Sequence, residues 1–379
     1  MKFPFQFTKK VLWLSILSMG MIFRTLAQEN SPGHLGLVYP ISTHGTRAAA
    51  YTNNLSIHAL SGLSAGERGL AIYGLAGIIQ GDATGLQTAG LWLNIEADLK
   101  GLQLSGLVNQ AQNAPQGVQI SGLANLLEGQ TPVQLSGIIN RAEKISAVQI
   151  TGIVNISEQV EGLQVSGITN ISPKIKGLQL GGIVNVAKDV KGSQIAGIFN
   201  KAETVSGIQL SGIINIADSS DYPIGLINII KNGERSIGLS VDENLSSLIS
   251  FRSGGRKLYG IIGLGSNFQD KDYPYAFEGG MGIKLLDESK FNLDLEASSL
   301  VLTDFQHSEY FRSGLRLLPQ LKLSNNLKIF AGPSLNYMYS KNDEGSGFSK
   351  MEIWENQSHW GHHSVHVGFT GGIQIKVSP

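Results

Sequence analysis

One short phrase is written nine times in the middle of this chain. A glutamine recurs as Gln87, Gln103, Gln119, Gln134, Gln149, Gln164, Gln179, Gln194 and Gln209, in steps of 16, 16 and then 15 residues. Three residues after each comes a glycine, from Gly90 to Gly212, and an asparagine closes each unit: Asn94, Asn109, Asn125, Asn140, Asn155, Asn170, Asn185, Asn200 and Asn215. Degenerate copies flank the array at Gly77/Gln80 and at Gly225/Asn228. A period this strict calls for an architecture in which every unit occupies an equivalent place.

The unit "GIQLSGIINIADSS" from Gly207 shows the local pattern. Ile208 and Leu210 alternate with Gln209 and Ser211, the period of two of a short strand. The phase breaks at Gly212, after which Ile213, Asn215 and Ala217 share the next inward parity. Earlier units add one more apolar residue beyond a charged corner: Ile145, Val160, Ile175, Val190 and Val205. Aliphatic residues are expected to point inward, which leaves the glutamines as an outward row. No single unit can bury its apolar residues alone, so the array is stable only when stacked and capped.

Two all-β architectures accommodate this period. In a solenoid each unit makes one coil, and each side chain sits on its own copy about 4.8 Å away. In one large antiparallel β-barrel each unit makes a strand and a turn. The solenoid is favoured. Self-stacking gives Gln and Asn a reason to recur as hydrogen-bonded ladders, and the turns do not alternate with the period of 30 that a barrel's two rims impose. Residues 82–221 also hold only two aromatics, Trp92 and Phe199, too few for a barrel's two girdles.

Residues 1–27 read as a cleaved secretory signal, with Lys2, Lys9 and Lys10, an apolar run from Val11 to Phe23, and small residues at Thr25 and Ala27. Its removal leaves 25 basic against 29 acidic side chains, a net charge of −4 that gives no footprint for nucleic acid. There is no cysteine, hence no disulfide framework and no thiolate metal site. Residues 28–81 are expected to form strands capping the array of residues 82–221. From 222 onward composition changes: 18 aromatics fall in the last 158 residues. Eight alternating runs, "SIGLSV", "SLISFRS", "KLYGIIGLGSNF", "YAFEGGMGIKLL", "FNLDLEASSLVL", "FRSGLRLLPQLKL", "LKIFAGPSLNYMYS" and "SVHVGFTGGIQIKV", with a polar loop near 341–361, predict a C-terminal antiparallel β-barrel-like domain. The ending "IKVSP" departs from the aromatic terminus usual in outer-membrane barrels, so a soluble barrel or sandwich stays an alternative.

The combination "LGLVYPISTHG…YTNN", "GLQLSGLVN" units and "YPIGLINIIKNGERSIGLSVDENL" resembles a family of bacterial surface-repeat proteins. The resemblance implies a secreted or outer-membrane-associated chain of a Gram-negative bacterium and brings no catalytic residues with it.

Candidate chemistry is sparse. "HWGHHSVH" gathers His359, His362, His363 and His366, imidazoles close enough in sequence to suit Zn, Cu or Ni. An exposed polar loop leading into the last strand is the plainer reading. "YGIIGLGSNF" lacks the third glycine and the following helix of a dinucleotide fingerprint. Acids such as Glu143, Glu158, Asp189 and Glu203 interleave with Lys144, Lys174 and Lys188, as on a solvated edge. The row Gln103, Gln119, Gln134, Gln149, Gln164, Gln179, Gln194 and Gln209 is a candidate face for a polysaccharide or a protein. The row from Asn109 to Asn215 is expected to be structural. The resulting expectation is a non-enzymatic, cofactor-free protein of the outer membrane or cell surface, with the periplasm as alternative. A pore formed by one large barrel and a β-helical carbohydrate-active enzyme are the competing readings.

Overall fold

The computed structural model describes residues 29–255, 257–269, 274–305, 309–340, 351–358 and 361–377. The expected signal segment and residues 341–350 of the polar loop lie outside these. The chain is all-β: a solenoid of ~12 turns leads into a closed eight-stranded antiparallel barrel.

The repeats run parallel and in register. Gln119 pairs with Gln103 and Gln134, Gln149 with Gln134 and Gln164, and Asn155 with Asn140 and Asn170. Each coil has three short sides, exemplified by residues 178–192. Leu178–Gly181 forms the first and ends at the corner Gly182-Ile183, Val184–Ala187 the second, and a charged corner leads to Asp189–Lys191. The next corner is a glycine at positive φ, Gly192 at 132°, a backbone region that costs glycine little. At the other corner the coils approach so closely that a Cβ on Gly137 would collide with the carbonyl oxygen of Gly122, and one on Gly152 with that of Gly137. The invariant glycine is therefore a stacking requirement.

The array is longer than the nine units visible as repeats. Tyr51–His58 with Ser61–Ser64, and Gly66–Tyr73 with Ala76–Ile79, are complete coils in register with those that follow. The cap proper is smaller than expected: Glu29–Ser31 and His34–Val38 pair with Tyr51–His58, followed by a 3-10 turn over Gly45–Ala50. At the other end, Ser219–Ile224 and Ile227–Ile230 form a last coil. The boundary thus lies at 231–233 rather than at 222. Asn94 also stands outside its expected column, because Leu93 pairs with Asn109; the 16-residue spacing shifts the register by one there.

The expected orientation is reversed on the glutamine side of the coil and at Ile213, whereas Asn215 and Ala217 point inward as expected. Every ladder glutamine from Gln103 to Gln209 is fully buried, whereas Ile208 and Leu210 are 43 % and 36 % exposed. The core is built instead from Gln, Asn, alanines such as Ala142 and Ala187, and the column Ile145, Val160, Ile175, Val190 and Val205.

The barrel strands are Glu234–Asp242, Ser246–Gly254, Leu258–Asn267, Tyr275–Asp287, Phe291–Thr303, Glu309–Lys322, Leu327–Ser340 and Gly361–Lys376. Pairing of the first with the eighth, from Ser236↔Lys376 to Asp242↔Thr370, closes it. A ninth strand, Glu352–Ser358, forms a hairpin with the start of the eighth and continues the wall beyond the end of the first. All eight alternating runs are barrel strands. One rim, the tight one, carries the short connections at 255–257, 288–290 and 323–326; the other carries the longest segment, between Ser340 and Glu352.

Candidate functional surfaces and buried polar clusters

Inside the solenoid the amides form two continuous ladders. Gln119 Nε2 donates to Gln103 Oε1, Gln134 to Gln119, and so on to Gln209, at 2.8–3.1 Å. The asparagines run the other way. Asn109 Nδ2 donates to Asn125 Oδ1, and the relay continues through Asn215 to Asn228, again at 2.8–3.1 Å. Each Asn also bridges two sides, as when Asn140 Nδ2 donates to the Ile150 carbonyl at 2.6 Å. The two rows of amide dipoles therefore oppose each other. The glutamine row is not the binding face expected of it: its donors and acceptors are consumed inside the coil.

The outer surface of the solenoid is aliphatic over two of its three sides. The residues flanking each Gln, such as Leu163 and Val165, and the residue before each Asn, such as Val154 and Val184, point outward. Between those sides runs a corner ladder: Leu60, Leu75, Leu91, Leu107, Leu123, Ile138, Ile153, Ile168, Ile183, Ile198, Ile213 and Leu226, each 38–44 % exposed. Charge collects on the third side, with Lys174, Lys176, Asp189 and Lys191, and with Lys144–Glu161 as an ion pair at 3.4 Å. Lys144 holds the Glu161 carboxyl below its ordinary range.

The barrel is inverted in the same sense. Ile237, Leu239, Ile249, Leu264, Met281, Leu315, Leu317, Leu335, Phe369 and Ile373 face outward. Among the described residues no Asp, Glu, Lys or Arg points outward from the middle of a strand. The polar pair Ser299 and Ser313 on this surface is bonded to itself at 2.7 Å. Aromatics cluster outside near the rim of the long connection, with Tyr275 and Phe277 against Phe305 and with Tyr337 and Tyr339. Strands of 13 and 14 residues exceed the ~9–11 that a tilted strand needs to cross a bilayer.

The lumen is filled by charge pairs and by an apolar cluster of Leu248, Ala276, Leu300, Leu302, Tyr310 and Met338. Arg252 Nε bonds Glu296 Oε1 at 2.8 Å, and the single O–H of Tyr259 lies within reach of both Asp294 Oδ2 at 2.9 Å and Glu296 Oε1 at 3.0 Å. Arg316 pairs with Glu278, and Arg312 with Asp242 and Glu243. Near the tight rim Glu234 is held between Lys284 and Lys328. The cavity among Glu234, Arg252, Tyr259, Lys284 and Lys328 has a free volume of about 10 Å³. The parallel register of the repeats rules out one large barrel containing them.

The last coil sits on the outer wall of the barrel beside the tight rim. The Asn228 N–H donates to Ser253 Oγ at 2.9 Å and its side chain to the Ser253 carbonyl at 3.2 Å, which ties the Asn ladder into the second strand. A Cβ on Gly260 would strike the carbonyls of Gly225 and Leu226, and one on Gly255 would meet Pro223 and the Ser220 carbonyl.

A buried cluster that the repeats do not announce lies at the opposite end. His34 stacks on His44 and meets His58 edge-on, each at 4.4 Å, while His58 stacks on Tyr73 at 5.4 Å. Beside them Glu67 Oε1 accepts from Ser56 at 2.8 Å, Asn53 at 3.2 Å and Tyr73 at 3.3 Å. Neither ring nitrogen of His58 has a hydrogen-bond partner. Burial, reinforced by the neighbouring imidazoles, lowers the His34 pKa to about 4 and also lowers that of His58. Burial raises that of Glu67. Three of the chain's eight histidines within 25 residues was the available signal.

The C-terminal histidines are not brought together. His362 and His366 face the lumen, where His366 Nε2 approaches Glu243 at 3.5 Å. His363 faces outward and bonds Tyr337 at 2.7 Å, and His359 lies outside the described residues. Alternation along a strand sends adjacent imidazoles to opposite faces, and among the described residues no cluster of three potential ligands is suited to a metal ion.

No family model, curated protein or solved structure matches this chain.

Proposed function

We propose that the chain is a membrane-anchored scaffold: the barrel crosses a bilayer, and the solenoid is a rigid array fixed to one rim of it. The observation that carries this reading is the barrel's polarity, apolar around its circumference with its charged side chains gathered in ion pairs within, the arrangement of a transmembrane β-barrel. In an aqueous protein this pattern would be doubly costly, exposing a continuous apolar band while burying charge. The filled lumen favours an anchor over a pore. The gathered polar side chains are largely spent on one another, which favours a structural over a catalytic role.

Outer-membrane barrels keep short turns on the periplasmic side and long loops outside. The solenoid adjoins the tight rim, which favours the periplasmic face for the array, in contrast to the surface display expected from the resemblance. Expression of the full chain in a Gram-negative host tests both points. The predicted result is recovery in carbonate-washed outer membrane, heat-modifiable migration on gels, and trypsin cleavage of the array only after the outer membrane is permeabilised. Recovery as a soluble periplasmic protein would refute the anchor. Cleavage in intact cells would refute the periplasmic placement.

A further inference from the structure

The solenoid's aliphatic corner is too long and too regular to leave in water, and the junction shows which way it points. Going up the barrel wall from the tight rim, Gly255 meets Ser220, on the third side of the coil, and Pro223, which takes the glutamine position next to that side. Ser253 and Gly260 meet Asn228 and Gly225. Highest on the wall, Leu226 lies over Gly279, whose strand partner is Ile262, within the apolar band. Leu226 is the last member of the corner ladder that begins at Leu60. The charged side of the last coil is therefore level with the rim, and its aliphatic corner is level with the lipid-facing wall. Because the coils stack in register, the whole ladder inherits that orientation.

From this geometry we infer that the solenoid lies along the membrane, with its aliphatic corner sunk among the acyl chains of the leaflet on the tight-rim side and its charged side toward water. This rests on the reading of the barrel as a membrane anchor. The occupant of the apolar face is then lipid, continuous with the lipid around the barrel. The solenoid suits this place because its backbone groups are paired coil to coil, so its sides bring few unsatisfied amides into the apolar layer. Lys174, Lys176 and Lys191 on the third side stay hydrated, as in interfacial amphipathic helices, whose apolar face is buried about 5–10 Å deep.

The chain has no cysteine, which makes the test direct. Single variants Ile168→Cys and Ile183→Cys on the corner, Lys174→Cys and Asp189→Cys on the charged side, and Leu317→Cys on the barrel wall are labelled with an environment-sensitive fluorophore. The full chain is then reconstituted into phospholipid vesicles. The inference predicts blue-shifted emission and quenching by chain-brominated lipid at 168, 183 and 317, with quenching by aqueous iodide at 174 and 189. A lipid-quenched 317 with iodide-quenched 168 and 183 overturns the inference and leaves the anchor standing. An iodide-quenched 317 overturns the anchor, and this inference with it. Corner labels reached by neither quencher, with Ile183→Cys chains oxidising to dimers, would assign the face to a second copy instead. Lipid quenching at 174 and 189 as well would contradict the orientation.

Discussion

Solenoid and barrel both turn many aliphatic side chains outward and bury polar ones beside an apolar cluster, yet the polar groups they bury differ in chemistry. The barrel's are ionic: Arg252 with Glu296, Arg316 with Glu278, Arg312 with Asp242. The solenoid's are neutral, two ladders of primary amides. Strand direction explains the difference. Antiparallel neighbours bring unlike residues together, so a cation can find an anion. A parallel in-register stack sets each side chain on its own copy, and like charges about 4.8 Å apart repel by about 3.5 kcal/mol per pair at an effective dielectric of 20. Only a group that is both donor and acceptor can satisfy its own copy, and a primary amide is one.

That contrast can be broken from either side, by melting in detergent micelles. The largest loss is expected in the barrel. Glu296→Ala strands Arg252 beside Arg316, and removing one partner of a buried ion pair costs about 3–5 kcal/mol. Adding Arg252→Leu should recover much of it, since a pair can be retired together. In the array, Gln149→Glu places a carboxylate where Gln134 Oε1 needs a donor, with a loss of similar order at neutral pH. It should shrink on acidification, because the protonated acid regains an O–H to give. Asn155→Ala is milder, about 1–3 kcal/mol, from leaving one Asn140 N–H unpaired and the Val165 carbonyl without its side-chain donor. No second substitution at one neighbouring coil should rescue it, because the ladder has no unique partner.

The smallest effect concerns the cap. His34 and His58 have lowered pKa values in the folded state, so the stability of their neutral forms is complete above the unfolded value near 6.5. It is lost as pH falls from there toward about 4, the folded value of His34. Glu67, raised, acts oppositely: its burial costs stability above the ordinary carboxyl range, and protonation relieves that cost. With two histidines against one carboxyl, lowering pH from 7 to 4.5 should lower the backbone amide protection factors, corrected for intrinsic exchange, in 51–58 and 66–73 while leaving those of 148–166 unchanged. His58→Phe should blunt the response.

The period, the glycine corner, the self-pairing of Gln and Asn, and all eight barrel strands were legible in the sequence. The inward face of the glutamine side was not. A period of two is symmetric, so "IQLS" fits a coil with Ile208 and Leu210 inside as well as one with Gln209 and Ser211 inside. Weighting apolar residues toward the core chose the wrong parity, because the glutamines take the interior of that side as a hydrogen-bonded ladder. The boundary at 222 misled because Tyr222 and Pro223 replace the repeat's consensus while keeping its coil. The cap cluster was invisible because His34, His44 and His58 come together only through stacking of coils and a hairpin.

Side-chain amide exchange in protein selectively labelled with ¹⁵N-Gln and ¹⁵N-Asn addresses the core of the account. It predicts that the NH₂ groups of Gln119 to Gln194 and Asn125 to Asn200 resist exchange as long as the backbone of the array does, while Asn94 exchanges promptly. Prompt exchange of Gln149 and Asn155 in the folded protein would mean that these amides face solvent, and the inward ladders would have to be abandoned.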